Sequence, residues 1–225
     1  MPTQVYTTAF TVGSDQALPT FNADFVREAG SGTDELTVDQ ALDRLEARFS
    51  GSIHTPLWAS YRYNGASSPT GDQEVLCTNL QSNGSDTAYC GVTLRHATGA
   101  DTCYFMRVSG TGEMEIVRRV AGVDTVLASG GTIDQATDYT VTAARAVGTG
   151  ATVDLTFTIT GEATVTYADT NAARLTSGQP GVELRQSGST DANDSTLDNL
   201  EIWDLAAAAA SLIFDLRPIP HLIGR

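Results

Sequence analysis

The chain contains no lysine: its 13 basic residues are all arginine, and 27 acidic residues give a formal net charge of −14 over 225 residues. Nucleic acids and anionic lipid surfaces attract proteins through clusters of positive charge, and the sequence has no basic stripe. We therefore expect neither nucleic acid nor a membrane surface as a partner. The acidic residues are dispersed, which is typical of a solvated, self-repelling surface.

Cysteine is also scarce, and the three residues present are Cys77, Cys90 and Cys103. An odd number is not a disulfide framework, and their spacing matches no zinc site. Two interpretations fit. Either Cys77 and Cys90 are neighbours across a hairpin, or all three are free thiols that pack as small apolar residues.

Export signals and common catalytic motifs are missing as well. The first ten residues, MPTQVYTTAF, have no basic region and no long apolar core, so we expect no signal peptide. No apolar run reaches the length needed to span a bilayer.

The sequence has no Gly-x-Ser-x-Gly elbow or phosphate loop, and its histidines at 54, 96 and 221 are widely scattered. We interpret His96 as an exposed residue in a hairpin tip.

What the chain does have is a regular series of strand-like runs. Between residues 87 and 205, nearly every ten residues, such a run ends in a glycine-rich turn. Regular short strands at this spacing predict an all-β sandwich or barrel. Residues 153–159 alternate apolar and polar side chains, which indicates a half-buried strand.

The first third of the chain is less regular. Residues 5–12 predict a first strand, and residues 51–72, with two prolines, predict irregular structure. Residues 35–49 fit either an amphipathic helix or two short strands joined by a turn at residues 39–43.

Four strand and turn motifs together resemble a known family. They are GVTLR at 91–95, YFMRV at 104–108, the turn SGQPG at 177–181 and the closing strand that begins with LDN at 197–199. This set resembles concanavalin A-like lectin/glucanase domains of the laminin-G type, as found in bacteriophage virion proteins and bacterial cell-surface proteins. The resemblance implies a two-sheet antiparallel β-sandwich, a jelly roll. It also favours two strands for residues 35–49.

The resemblance raises the question of glycoside hydrolysis. Glycosidases of this fold carry Glu-x-Asp-x-Glu along one strand, and the nearest match is Glu113-Met-Glu115-Ile-Val117, without the central Asp and the third acid. Retaining hydrolysis needs two carboxylates about 5 Å apart. We interpret this glutamate pair, beside Arg118 and Arg119, as a solvated strand face, and we predict that the protein is not an enzyme.

Sugar binding needs an aromatic ring beside fixed polar groups, and the chain offers candidates for both. We expect some of the strand arginines, at 95, 107, 145 and 185, to share one sheet face. The competing interpretation places the rings in the core and uses the arginine stems to cover apolar surface. The predicted carbohydrate-binding residues are Trp58, Tyr61, Tyr63, Arg95 and Arg107.

We expect the protein to have no cofactor, and a calcium ion is the alternative for which the sequence offers ligands. The predicted ligands are side-chain oxygens in and beside a loop at residues 191–198. Asp169 with Asn171 forms a second oxygen-rich cluster. Asx-rich loops also form turns without any metal, and this interpretation stays open. The ligand set is Asp191, Asn193, Asp194 and Asp198.

The composition changes at residue 205, where AAAAASLIFDLRPIPHLIGR follows. We therefore divide the chain into a sandwich at residues 1–205 and an apolar arm at residues 206–225, in which Asp204 would cap a short helix that Pro218 ends. The arm either folds back over its own sheet or docks on another subunit. The residues predicted to bind a partner are Leu212, Ile213, Phe214, Leu216, Ile219 and Leu222.

These expectations lead to a functional hypothesis with two alternatives. We predict a non-enzymatic, phage-like virion protein: a capsid-decoration, head-spike or tail-associated subunit that assembles in the host cytoplasm. It would form a homo-oligomer, contact other virion proteins through the arm and carry a lectin-type module for surface glycans. The first alternative is a bacterial carbohydrate-binding module, and the second is a glycoside hydrolase.

Overall fold

The computed structural model of the protein describes residues 2–30, 36–41, 43–47, 57–81, 88–134, 137–186 and 195–206. Most of these residues are in strands. The first elements are β1 (Thr3–Thr8), β2 (Gln16–Ala17), a single helical turn α1 (Leu18–Phe21), β3 (Phe25–Gly30), β4 (Thr37–Asp39), β5 (Arg44–Glu46), β6 (Leu57–Tyr63) and β7 (Gln73–Gln81). The later elements are β8 (Tyr89–His96), β9 (Cys103–Ser109), β10 (Glu113–Val120), β11 (Val123–Thr132), β12 (Tyr139–Val147), β13 (Val153–Ile159), β14 (Thr164–Asp169), β15 (Gln179–Gln186) and β16 (Thr196–Asp204).

In the described part of the chain these strands form two sheets. The nine-stranded sheet has the order β14-β13-β12-β7-β16-β5-β4-β2, with β1 also paired to β16. The seven-stranded sheet has the order β11-β10-β9-β8-β15-β6-β3. Neighbouring strands run antiparallel, for example β15 between β6 and β8. The predicted two-sheet antiparallel β-sandwich is confirmed.

The core lies between the two sheets and follows from alternation along the strands. In β13, Val153, Leu155, Phe157 and Ile159 are buried, as predicted. Tyr104 on β9 contributes a large ring from the opposite sheet. Because successive strand residues point to opposite faces, one apolar residue in two is enough to fill the space between the sheets.

Residues 35–49 contain two short strands rather than a helix. Val38 on β4 lies opposite Leu45 on β5, and both side chains are fully buried. The chain reverses at Asp43, whose φ of 49° is in the left-handed region that asparagine and aspartate tolerate best among non-glycine residues. The strand interpretation of this segment is confirmed.

Two sequence-based boundaries are wrong. Strand β1 ends at Thr8, so residues 9–12 lie outside it. The segment 51–72 is not irregular throughout, because residues 57–63 form β6, where Ala59, Tyr61 and Tyr63 point into the core. The aromatic residues of this strand obscure its alternation, since Trp58 and Tyr61 are both large and lie on opposite faces.

The three cysteines are free and buried. Cys77 lies on β7 of the nine-stranded sheet and Cys90 on β8 of the seven-stranded sheet, so they are not hairpin neighbours. Burial raises the pKa of the Cys77 thiol to about 12, which leaves it protonated at neutral pH. The free-thiol interpretation is confirmed.

The predicted arm lies almost wholly outside the described residues, which end at Ala206. This includes its six predicted partner-binding residues, from Leu212 to Leu222. Among the residues that the structure describes, no helix is long and apolar enough to cross a membrane.

Candidate functional site

The seven-stranded sheet buries a second apolar cluster on the face that points away from the core. Tyr89, Cys103, Phe105 and Val117 form this cluster, separate from the main core. Their strand neighbours, such as Cys90, point the other way into the core. We call this outer surface the concave face; its principal side chains are Trp58, Tyr89, Phe105, Arg107, Val117, Arg119, Glu183 and Arg185.

Contacts that span several strands show that the sheet curves toward this face. Arg119 lies on β10 and Glu183 on β15, three strands away in the sheet order. Neighbouring strands are about 4.8 Å apart, yet Arg119 Nη1 is 2.7 Å from Glu183 Oε2. The Arg119 guanidinium also lies 5.3 Å from the ring centre of Trp58 on β6, one strand further. Such contacts require a concave surface.

Ion pairs hold most of the charges on this face. Arg119 also contacts Asp124 at 2.6 Å and Asp101 at 3.2 Å. Arg107 contacts Glu115 at 2.6 Å and Asp124 at 2.9 Å. The charges of these arginines are therefore largely neutralised within the face.

Glu183 is the most deeply buried acid of the concave face, with no exposed surface. Burial raises its pKa above the ordinary value, although the Arg119 guanidinium opposes this effect. Arg119 thus supplies the positive charge that a buried carboxylate requires.

Aromatic rings and guanidinium groups alternate across the centre of the face. The Arg107 guanidinium lies 5.0 Å from the ring centre of Tyr89, and that of Arg185 lies 5.4 Å from the same ring. Tyr89 and Phe105 meet edge to face at 5.2 Å. In the strand register Arg185 has Trp58 on one side and Tyr89 on the other. These distances are those of cation–π contacts.

Two polar atoms beneath these rings have no partner in the described ranges. Thr93 Oγ1 and Arg185 Nε are buried and make no hydrogen bond within the part of the chain that the structure describes, whereas hydrogen bonds from Tyr89 and Ser60 lower the pKa of Glu183 against the effect of burial. Buried polar atoms are nearly always paired, and an unpaired group indicates a bound water, ion or ligand. The face can therefore offer donors and acceptors to a ligand rich in hydroxyl groups.

Two of the predicted carbohydrate-binding residues lie on this face. Trp58 and Arg107 are both partly exposed there. Arg185 shares the face, as the sequence suggested for some strand arginines. Arg145 does not: it lies on β12 of the nine-stranded sheet, where it pairs with Glu74.

The other three predicted residues lie in the interior. Tyr61 is fully buried, and Tyr63 packs against Tyr6 with ring centres 4.6 Å apart. Arg95 is fully buried as well and donates hydrogen bonds to the carbonyls of Leu175 at 2.7 Å and Gly148 at 2.8 Å. The alternation of β6 sends both tyrosines into the core, so neither ring offers a face to a sugar.

His96 is not an exposed tip residue, as the sequence suggested, but a buried residue that ends β8. The register of β8 shifts just before it, and Arg95 there has a φ of 51°. Burial, together with the positive charges of Arg119 and Arg62, lowers the pKa of His96 to about 4. The residue is therefore neutral at physiological pH.

The predicted calcium ligands are only partly within the described residues, because Asp191, Asn193 and Asp194 lie outside them. Asp198 accepts hydrogen bonds from the backbone N–H groups of Phe10 at 3.2 Å and Asn199 at 2.7 Å. No group of three His, Cys, Asp or Glu side chains within the described ranges is placed to hold a metal ion.

The second oxygen-rich cluster is engaged in the protein's own contacts. Asp169 accepts hydrogen bonds from the Arg118 guanidinium at 2.9 Å and the Tyr104 hydroxyl at 2.8 Å. Its carboxylate therefore serves an internal ion pair.

Sequence reasoning did not select Tyr89, Phe105, Arg119 or Glu183 as site residues. A signal for them was present in the strands already predicted. In β15, Val182 and Leu184 point into the core, so Glu183 and Arg185 must point outward together.

Comparisons with known proteins yield structural similarity only. No protein-family model and no curated protein sequence matches the chain. The carbohydrate recognition domain of Emp46p in its metal-free form has 7% identity, a TM-score of 0.53 and coverage of 88% of this chain and 94% of its own. The lectin UEA-II complexed with galactose has 6% identity, a TM-score of 0.52 and coverage of 89% and 98%. SCLam, a non-specific endo-β-1,3(4)-glucanase from family GH16, has 7% identity, a TM-score of 0.50 and coverage of 90% and 91%.

At these identities the similarity concerns the path of the chain and not the residues of any site. The coverage is nearly complete in both directions for each of the three structures. The chain therefore has the concanavalin A-like lectin/glucanase fold that its strand motifs predicted.

Proposed function

We propose that the protein is a non-catalytic carbohydrate-binding module whose ligand lies on the concave face. The observation that carries this proposal is that the partly exposed Trp58 and Arg185 share a face with two buried polar atoms, Thr93 Oγ1 and Arg185 Nε, that have no partner within the described residues. Sugars combine apolar ring faces with hydroxyl groups, which suits an aromatic surface beside unpaired donors and acceptors. The galactose in the UEA-II structure supports the proposal, because that lectin has the same fold.

The ion pairs of the concave face support a binding role over hydrolysis. A retaining glycosidase places two carboxylates about 5 Å apart on either side of the scissile bond. Here Glu115 is held by Arg107 and Glu183 by Arg119, in contacts of 2.6 Å and 2.7 Å. Each carboxylate therefore stabilises a guanidinium on the sheet.

The two tryptophans of the chain give a matched test. Trp58 lies on the concave face and Trp203 on the nine-stranded sheet, and both are partly exposed. We expect the full chain to bind oligosaccharides on a glycan array. In calorimetric titration we expect Trp58→Ala to lose about tenfold in affinity, since a ring contact contributes on the order of 1 kcal/mol, and Trp203→Ala to bind as the wild type does.

Three results would count against this proposal. Binding to none of the arrayed glycans would reject it, and equal losses in the two tryptophan variants would place the ligand elsewhere. Release of reducing ends from a bound oligosaccharide would favour a glycoside hydrolase. Circular dichroism of each variant would separate loss of binding from loss of fold.

The proposal extends to the setting of the module: a virion, with the protein as a capsid-decoration, head-spike or tail-associated subunit. Its support is the similarity of the strand motifs to phage domains and the apolar residues of the arm, including Leu212, Phe214 and Ile219. Burying such side chains on a partner would contribute about 1.5–3 kcal/mol each before ordering costs are subtracted.

Truncation tests this setting. We expect the full chain to form a homo-oligomer in light scattering and to co-sediment with particles from its source. A chain that ends at Leu205 should remain folded, monomeric and free of the particles. Identical behaviour of both chains would contradict the arm's role and leave the carbohydrate-binding proposal intact.

A further inference from the structure

We propose that the ligand of the concave face carries an anionic group, a carboxylate or a sulfate ester, and that Arg185 binds it. This inference rests on the proposed carbohydrate-binding function and names the class of sugar. The Arg185 guanidinium lies beside Tyr89 and makes no ion pair within the part of the chain that the structure describes.

Three other arginines on the outer face of this sheet, Arg62, Arg107 and Arg119, each contact a carboxylate. Arg62 contacts Glu28 at 2.6 Å, while Arg107 and Arg119 share Asp124 and each have further acidic partners. Acidic residues outnumber arginines in the chain by 27 to 13, so a shortage of carboxylates does not explain the exception. The sheet leaves Arg185 as a cation available for an external anion.

The surroundings of Arg185 fit it for this role. Its Nε is buried without a partner, whereas the residue as a whole is partly exposed. Tyr89 supports the guanidinium from one neighbouring strand, and Trp58 lies opposite on the other. A planar guanidinium held against a ring can accept a carboxylate or sulfate through two parallel hydrogen bonds. An acidic sugar would place its anion there and its ring near Trp58.

The charges around Arg185 allow an anion to approach. Glu183, two residues away on the same face, is paired with Arg119 at 2.7 Å, so it does not neutralise Arg185. The net charge of −14 repels anions from the molecule as a whole, but this repulsion is screened beyond about 8 Å at physiological ionic strength. Binding of an acidic glycan would therefore depend on this local cation.

Matched ligands and matched variants test the proposal. The ligands are oligogalacturonate against its methyl ester, and a sulfated galactan oligosaccharide against its desulfated form. The variants are Arg185→Met, which keeps an apolar stem, Arg185→Lys, which keeps the charge, and Arg145→Met on the opposite sheet as the control. Calorimetric titration at low and physiological salt gives the affinities.

We expect an anionic ligand to bind about ten- to a hundredfold more tightly than its neutral counterpart, as for a hydrogen bond to a charged group. Arg185→Met should remove this preference, Arg185→Lys should keep part of it, and Arg145→Met should leave it unchanged. The preference should shrink as salt is added. The ligand pair that shows the preference identifies the anion as carboxylate or sulfate.

Some outcomes overturn this inference and leave the proposed function standing. Equal affinity for the charged and neutral members of both pairs, with Trp58→Ala still reducing binding, would show a neutral-sugar site. A preference that survives in folded Arg185→Met would place the anion elsewhere. Binding of no glycan at all would reject the proposed function and this inference together.

Discussion

His96 has a chemical consequence that its sequence position did not suggest. Its folded-state pKa of about 4 lies below the ordinary value of 6.5, so the unfolded chain takes up a proton first as pH falls. The stability that depends on the neutral ring is fully present above about pH 6.5 and is lost as pH falls toward 4, at about 1.4 kcal/mol per pH unit. We expect urea unfolding at pH 7 and pH 5 to show a loss of roughly 2 kcal/mol in the wild type.

The variant His96→Leu isolates this effect. The backbone of Ala100 interacts with the ring and raises its pKa against the effect of burial, so leucine removes the titration at the cost of at most this one hydrogen bond. The difference in stability between pH 7 and pH 5 should be smaller in the variant by the contribution of His96. The same pH dependence in both proteins would show that His96 titrates normally in the folded state.

Gly91 is a residue whose role is steric. It lies on β8 on the concave face, and a Cβ added there would overlap the carbonyl oxygen of Met106 and lie 2.8 Å from Cα of Arg107. Since both obstacles are backbone atoms, Gly91→Ala should destabilise the fold by about 1–3 kcal/mol in urea unfolding. Gly150→Ala is the control, since no atom lies within 4 Å of its added Cβ and we expect a change below about 0.5 kcal/mol. Equal effects of the two substitutions would show that β8 can shift to make room.

At the scale of elements, strand periodicity is local and could be read from the sequence. The alternation in β13 needs only its own residues, and the pair β4 and β5 needs only a turn between them. The concave face needs the sheet order, because β10 and β15 are distant in sequence and come together across β9 and β8. For this reason Trp58 and Arg107 could be proposed as single residues, whereas the pairing of Arg119 with Glu183 could not.

One ion pair connects the two sheets and should matter more than a surface pair. Arg118 on β10 contacts Asp169, at the end of β14, at 2.9 Å, and the Asp169 side chain is fully buried. Asp169→Ala would leave a mostly buried guanidinium without its carboxylate, and we expect it to lower the free energy of unfolding by about 3–5 kcal/mol. Asp138→Ala removes the partner of Arg44 at an exposed site and should cost less than about 1 kcal/mol. Equal small losses would mean that Arg118 finds water when its partner is removed.

At the scale of the whole molecule, the strand motifs predict the fold, whereas the net charge bears only on the kinds of partner. The strand motifs predicted the concanavalin A-like fold because they contain core residues, and every protein with this fold needs such a core. Charge composition led us to expect neither nucleic acid nor a membrane surface as a partner, but it did not locate a site. In the folded chain, Arg62, Arg107 and Arg119 on the outer face of the seven-stranded sheet are paired with carboxylates. Arg185 lies on the same face and has no ion pair within the described residues, and this difference becomes visible only when the order of the strands is known.

The same net charge predicts how salt affects the stability of the molecule. A charge of −14 destabilises the compact state through self-repulsion, and salt screens that repulsion as the Debye length falls from about 30 Å at 0.01 M to about 8 Å at 0.15 M. The ion pairs that lie within the sheets, such as Arg119 with Glu183, are screened much less because they are buried. We therefore expect the urea midpoint to rise between these two sodium chloride concentrations, with urea chosen because guanidinium is itself a salt. A lower midpoint at 0.15 M would instead show that attraction between exposed pairs outweighs the net repulsion, and that the acidic residues are arranged to hold the fold together.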